Sequence, residues 1–186
     1  YKPYIFYPAQ FWAHKNHVYI MDAIKILEKK LHKNVQVVFT GFDKGNLRYL
    51  KKYAKELSIY ERIHFLDFVT EKEIYSLYKN CIALVMPTYF GPTNIPPLEA
   101  FSYEVPLIYS DLPGMREQVQ DAAIFIDLND PSSLSKAIYK LLNDKRISMK
   151  LINKGKKLLL KNRDFDRRTL ILSILKKFQL IRRNWD

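Results

Sequence analysis

An α/β fold, with a Rossmann-like parallel sheet of about six strands, helices on both faces and a helical C-terminal tail, follows from three features of the sequence. Apolar, β-rich segments recur through the first two thirds of the 186 residues. Helix-period stretches separate the earlier of these segments, and the segments themselves are nearly continuous in hydrophobicity rather than alternating. Val-Gln-Val-Val-Phe at 35–39 and Ile-Ala-Leu-Val-Met at 82–86 suit strands covered on both sides by crossover helices. With 48% hydrophobic content the chain can bury a substantial core, and its length fits one domain over residues 1–186.

The first strand is residues 4–7. After it Val18, Met21, Ile24, Leu27 and Leu31 recur at spacings of three or four, which predicts a helix over about 17–31 with Asn16 as its cap. Residues 35–40 form the second strand, about 47–57 the second helix and 62–66 the third strand. Thr70, followed three positions later by Glu73, reads as a capping box that opens the third helix. Strands at 82–86, 106–109 and 122–126 complete the sheet, with short helices after Ile95 and Pro113. From Ser132 onward the pattern is helical only, with a break near 162–164, and no internal repeat or low-complexity stretch occurs.

Charge and cysteine usage narrow the function classes. The net charge is +12, but residues 144–186 hold fourteen lysines and arginines against four aspartates, so this basic helical tail leaves only +2 upstream. Such a tail could meet nucleic acid, anionic lipid or a partner domain, or be a solvated helix face. No apolar run reaches the roughly 18–20 residues of a membrane span. The lone Cys81 precludes an internal disulfide and a cysteine-based zinc site, and its apolar setting predicts a buried structural thiol. Tyr1 follows neither an initiator Met nor a signal sequence, which we read as a start within a longer chain.

In a doubly wound sheet, ligands bind beyond the carboxyl ends of the strands. Residues 86–100 are the most informative of these loops. Gly91 and three prolines set an unusual turn before a helix whose unpaired amides and positive dipole end could hold a phosphate, or the segment is a rigid connector. Glu99, one turn inside that helix, would be repelled by phosphate. It either accepts hydrogen bonds from neutral hydroxyls such as those of a ribose or is a solvated surface residue. After the first strand, Lys15 could pair with a diphosphate. His14 and His17 read as a cap and a surface residue, because two histidines without a third ligand are a weak metal signal, and no metal is assigned. No Gly-x-Gly-x-x-Gly follows the first strand, and neither a Gly-Lys-Ser/Thr phosphate loop nor a Gly-x-Ser-x-Gly elbow is present, so dehydrogenase, P-loop and serine-hydrolase readings fall.

The ordered set Lys15-Asn16-His17, Val38-Phe39-Thr40-Gly41, Ile63-His64-Phe65-Leu66-Asp67-Phe68-Val69, Pro96-Pro97-Leu98-Glu99-Ala100, Val105-Pro106-Leu107-Ile108-Tyr109-Ser110-Asp111 and Ala122-Ala123-Ile124-Phe125-Ile126-Asp127 resembles the C-terminal domain of group 1 (family 4) retaining glycosyltransferases. The resemblance covers nearly the whole chain. It implies one half of a GT-B architecture: this domain binds the nucleotide-sugar donor, and an N-terminal domain takes a saccharide or lipid-linked acceptor. The segment Asn162-Arg163-Asp164-Phe165-Asp166-Arg167-Arg168-Thr169 resembles the family's closing helices, which brace the N-terminal domain.

By the same resemblance, Glu99 binds the ribose and Lys15 contacts the diphosphate. Val69 lies in the segment lining the base pocket, and Gly41, Asn94, Ile95 and Pro96 fall in donor-site turns, with Ile95 rather than Pro96 as the amide donor. Two positions depart from the pattern. Gly91 stands where the family has the first glutamate of its Glu, seven residues, Glu motif, and Gln10 where it has an arginine. Either Thr93, Asn94 or a backbone group then serves the donor sugar, or the donor is held differently, or activity is reduced, and Lys15 carries more of the diphosphate's charge. The implied function is retaining sugar transfer for bacterial surface polysaccharide, without cofactor or metal, in the cytoplasm, with peripheral contact at the inner membrane face open and no nucleic-acid partner. A GT-B epimerase or phosphorylase, or a non-catalytic nucleotide- or nucleic-acid-binding module, are the alternatives.

Overall fold

In the computed structural model, which describes residues 3–91, 94–163 and 167–183, six parallel strands form a single sheet. They are β1 (Tyr4–Pro8), β2 (Gln36–Thr40), β3 (Ile63–Leu66), β4 (Leu84–Met86), β5 (Leu107–Ser110) and β6 (Ala123–Ile126), in the order β3-β2-β1-β4-β5-β6. Phe6 lies opposite Val38 on one side and Leu84 on the other, so β1 is central. The chain steps outward to β3 and then crosses back to β4. The order therefore reverses between β1 and β4, the place where a doubly wound sheet opens a crevice.

Burial explains the continuous apolar runs. Ile5, Phe6, Tyr7, Val37, Phe39, Leu84, Val85, Leu107, Ile108 and Tyr109 are inaccessible to solvent, as strands covered on both faces must be. Right-handed crossovers set α1 (His17–Leu31) and α2 (Leu47–Glu56) on one face, and α3 (Glu71–Asn80), α4 (Pro96–Ser102) and α5 (Pro113–Val119) on the other. The next helix, α6 (Pro131–Asn143), packs along α1.

Among the described residues, side-chain caps start two of the helices, and one of them is the capping box that the sequence predicts. Thr70 and Glu73 form the full capping box of α3, and Asp130 caps α6 by accepting from the Ser132 amide. Asn16 departs from expectation. It occupies the N-cap position of α1 in a left-handed conformation (φ 58°), and its side chain makes no capping bond. The reason lies just upstream, where a 3-10 turn over Ala13–Lys15 ends with the Asn16 amide bonded to the Ala13 carbonyl, which commits the backbone to that geometry.

The basic tail divides into two unlike helices. In α7 (Lys145–Arg163), Leu151 and Leu158 are buried and the helix packs on α4. Lys154 pairs with Asp121 at 2.6 Å and Lys156 with Glu104 at 2.9 Å. By contrast, α8 (Arg167–Arg183) has every described side chain from Ile171 to Gln179 exposed, including Ile171, Leu172, Ile174, Leu175 and Phe178. The expected break near 162–164 agrees with the end of α7 at Arg163, while Asp164 lies outside the described residues. Among the described residues no helix is long and apolar enough to cross a membrane.

Candidate functional site

The loops leaving the carboxyl ends of β1, β2, β3 and β4 share one edge of the sheet, and hydrogen bonds knit them together. Beyond β1, Phe11 is fully buried and donates its amide to the Phe42 carbonyl at 3.1 Å, tying this loop to the one after β2. Gly41 permits that approach. A Cβ there would lie 2.6 Å from the Ala9 carbonyl oxygen and 2.8 Å from the Gln10 Cα, so no side chain fits. Gln10 itself is exposed, and its side-chain oxygen accepts from the Trp12 indole at 3.1 Å.

Lys15 ends the 3-10 turn, held from below by the Tyr7 hydroxyl, which donates to the Lys15 carbonyl at 3.0 Å. The side chain is half-buried, and burial lowers the pKa of its amine. Among the described residues no carboxylate pairs with it. An ammonium that is partly desolvated and uncompensated is stabilised by an arriving anion.

His17 is buried rather than on the surface. Its ring lies 4.9–5.1 Å from those of Tyr7, Phe11 and Phe39, and among the described residues neither nitrogen has a hydrogen-bond partner of good geometry, the Ala9 backbone giving only a weaker contribution that favours the charged form. Burial is the main cause that pulls its pKa down to about 4, so the imidazole is neutral at pH 7. Among the described residues the neighbouring Asn16 Nδ2 is also buried without a partner. Among the described residues there is no group of three or more histidine, cysteine, aspartate or glutamate side chains arranged to hold a metal ion.

The loop after β4 is stitched to the Lys15 turn. The Tyr89 amide donates to the His14 carbonyl at 3.2 Å, and the fully buried Thr88 hydroxyl donates to the Phe90 carbonyl at 2.9 Å. Ser110 of β5 braces it from beneath through the Thr88 carbonyl at 2.8 Å. Gly91 takes φ 117°, and a Cβ would sit 2.6 Å from the Asn94 Oδ1. The Asn94 side chain bridges the Gly91 carbonyl and the Tyr109 hydroxyl, while Gln118 donates to the Asn94 carbonyl at 2.6 Å. Asn94 thus locks the turn from within. Thr93 lies outside the described residues.

Two prolines, Pro96 and Pro97, open α4, so its first turn lacks two of the amides a helix end normally offers. The Leu98 and Glu99 amides both bond the Ile95 carbonyl, at 2.9 and 3.2 Å. Among the described residues the backbone amides of Asn94 and Ile95 have no hydrogen-bond acceptor, and Ile95 is exposed.

Glu99 is half-buried, and its Oε2 accepts from the Tyr78 hydroxyl at 2.7 Å. Sequence reasoning missed Tyr78 because a tyrosine in an amphipathic helix reads as core, and nothing local connects it to a residue 21 positions later. After β3, Val69 is half-buried beside the exposed Phe68, whose ring stacks on that of Phe42 (centroids 6.4 Å, interplanar angle 24°). Cys81 is half-buried. Its thiol donates to the Tyr78 carbonyl at 3.2 Å, and burial pushes it up to about 12, which makes it inert. Two open grooves elsewhere are lined mainly by lysine and arginine along α2 and α7, and neither contains Lys15 or Glu99.

The model of the family described as "Glycosyl transferases group 1" matches residues 1–158. An uncharacterized glycosyltransferase, MJ1607, of Methanocaldococcus jannaschii is 28% identical over 143 residues, 75% of this chain and 35% of that protein. The O-antigen chain mannosyltransferase RfbU of Salmonella typhimurium is 32% identical over 89 residues, 48% of this chain and 25% of its own length. Among solved structures, Anabaena Alr3699/HepE in complex with UDP superposes with a TM-score of 0.77 at 15% identity, over 96% of this chain and 49% of its own. WaaG, a glycosyltransferase involved in lipopolysaccharide biosynthesis, gives 0.72 at 19% identity, over 84% of this chain and 42% of that one. The chain spans about a third or less of these curated relatives and about half of these structures.

Proposed function

The chain belongs to the group 1 glycosyl transferases, and from that premise we propose that it is the donor-binding domain of a retaining enzyme that transfers a sugar from a nucleoside diphosphate to a saccharide or lipid-linked acceptor. The observation that carries this reading is Lys15: half-buried, without a carboxylate partner among the described residues, its charge disfavoured by burial, and following the strand at which the sheet order reverses.

In this reading the nucleoside diphosphate lies across the carboxyl edge. Lys15 and the amides of the Asn94–Ile95 turn take its diphosphate, Glu99 accepts from the ribose hydroxyls, and Val69 borders the base. Gly41 keeps the β1 and β2 loops close, which leaves Gln10 at the rim in place of a cation. During transfer the bond between the anomeric carbon and the diphosphate oxygen breaks, the acceptor oxygen bonds to the same face of the sugar, and the acceptor's hydroxyl proton passes to the departing diphosphate. Negative charge grows on the leaving diphosphate, and Lys15 and the loop amides stabilise it electrostatically. Gly91 contributes no carboxylate to the sugar. In this reading no metal is invoked: Lys15 offsets part of the leaving group's charge, and the loop amides stabilise the rest by hydrogen bonding.

The acceptor would be bound by a second, N-terminal domain across the cleft, in the cytoplasm or at the inner membrane face. The naming of relatives as O-antigen mannosyltransferases supports a surface-polysaccharide hexosyl transfer. Isothermal calorimetry with UDP, GDP and their sugars tests the reading. Micromolar to millimolar binding that Glu99→Ala abolishes supports it, and the absence of binding by both nucleotides overturns it.

A further inference from the structure

We propose that Tyr78 is a positioning residue for Glu99, and that its phenol aims the carboxylate so that the site selects ribonucleotide over 2′- or 3′-deoxyribonucleotide donors. The proposal rests on the reading of Glu99 as the ribose acceptor given above.

A glutamate on a half-exposed helix turn ordinarily samples several rotamers. Here one rotamer is held by a donor that is itself immobile. Tyr78 is fully buried, its ring edge-on to Phe6 of the central strand (5.0 Å, 89°) and tilted against Tyr103 (5.0 Å, 37°). The helix that carries it is anchored one residue earlier, where the Tyr4 hydroxyl donates to the Leu77 carbonyl at 2.9 Å. The Tyr103 ring that touches Tyr78 belongs to the C-cap of α4, whose amide bonds the Glu99 carbonyl at 2.9 Å. The two helices are therefore keyed to each other on both sides of the phenol–carboxylate bond.

The choice of partner matters chemically. In a chain with 31 lysines and arginines, no cation among the described residues pairs with Glu99. A cation there would neutralise the carboxylate and present N–H groups to the ligand. A phenol instead donates one hydrogen bond to Oε2 and leaves Oε1 as a charged acceptor for vicinal hydroxyls. Burial and the Glu99 charge raise the phenol's pKa far out of the working range, so it is always a donor.

The test is calorimetry on the intact protein with UDP and GDP, their 2′-deoxy and 3′-deoxy forms, and inorganic pyrophosphate. Wild type should prefer the ribonucleotide by about 10-fold or more, the scale of a hydrogen bond to a charged group. Tyr78→Phe keeps the ring and should shrink that preference to roughly 3-fold or less, with pyrophosphate affinity unchanged; combined with Glu99→Ala it should add nothing. Glu99→Gln supplies an independent check. With Tyr78 present, the hydroxyl claims the amide oxygen and turns NH2, rather than a charged acceptor, toward the ribose, so the preference should fall below that of wild type; adding Tyr78→Phe leaves the amide unaimed and should not restore the wild-type preference. A Tyr78→Phe protein with the wild-type preference, or one losing UDP and pyrophosphate alike, overturns the positioning role alone. If wild type binds neither nucleotide, or Glu99→Ala changes nothing, the donor-site reading itself fails.

Discussion

Gly155 of α7 lies so close to the Phe101 ring of α4 that a Cβ on it would collide with the Phe101 Cδ1. Helix propensity favours alanine over glycine by roughly 1 kcal/mol. Gly155→Ala should nevertheless destabilise, by about 1–3 kcal/mol, because the overpacked ring must move. Urea denaturation measures this. Because α4 carries Glu99, nucleotide affinity should fall in the same variant, and an unchanged midpoint with unchanged binding would show that the two helices slide apart freely.

His17 makes stability depend on pH. Its pKa is about 4 in the folded protein against an ordinary 6.5, so between these values the unfolded chain binds more protons. Stability is then full above pH 6.5 and declines as pH falls towards 4, by roughly 3 kcal/mol in all. His17→Phe should remove this dependence while filling the same aromatic cage. Denaturation at pH 7, 6, 5 and 4.5, compared between the two proteins, isolates the contribution from that of the carboxylates.

Lys15→Ala should weaken UDP or GDP binding by about 10-fold or more, the loss expected for a charge-assisted bond. Binding of the corresponding nucleoside should hardly change. Calorimetry with both ligands decides: equal losses would assign Lys15 to folding of the loop rather than to the diphosphate.

Restoring the family's glutamate at Gly91 should fail. At φ 117° a side chain is strained, and its Cβ would strike the Asn94 amide that holds the turn. Gly91→Glu should cost about 1–3 kcal/mol and gain no donor affinity. Asn94→Ala, which removes the donor to the Tyr109 hydroxyl and the Gly91 carbonyl, should loosen the same loop. Thermal melts and nucleotide titrations on both variants check this, and a Gly91→Glu protein binding UDP-sugar more tightly than wild type would refute it.

The order of elements, the parallel sheet, the capping box at Thr70 and the loops that carry Lys15, Gly91 and Glu99 were all legible along the chain. Each depends on residues within a few positions of one another: apolar runs for buried strands, three-and-four spacing for helices, a threonine and glutamate three apart for a cap. Where geometry passes between neighbours, as at Asn16, local reading already weakens, because the preceding 3-10 turn and not the asparagine side chain sets the helix entrance.

The sequence by itself determined which fold forms and which edge of the sheet carries the candidate donor loops. Tertiary structure alone decided how the site is held. It brings Tyr78 onto Glu99, braces Asn94 with Tyr109 and Gln118, sinks His17 among aromatic rings, and separates a packed α7 from an exposed α8. Those contacts join residues from different strands and helices, and their distances follow from the order in which the sheet assembles them, information that no local window of sequence contains.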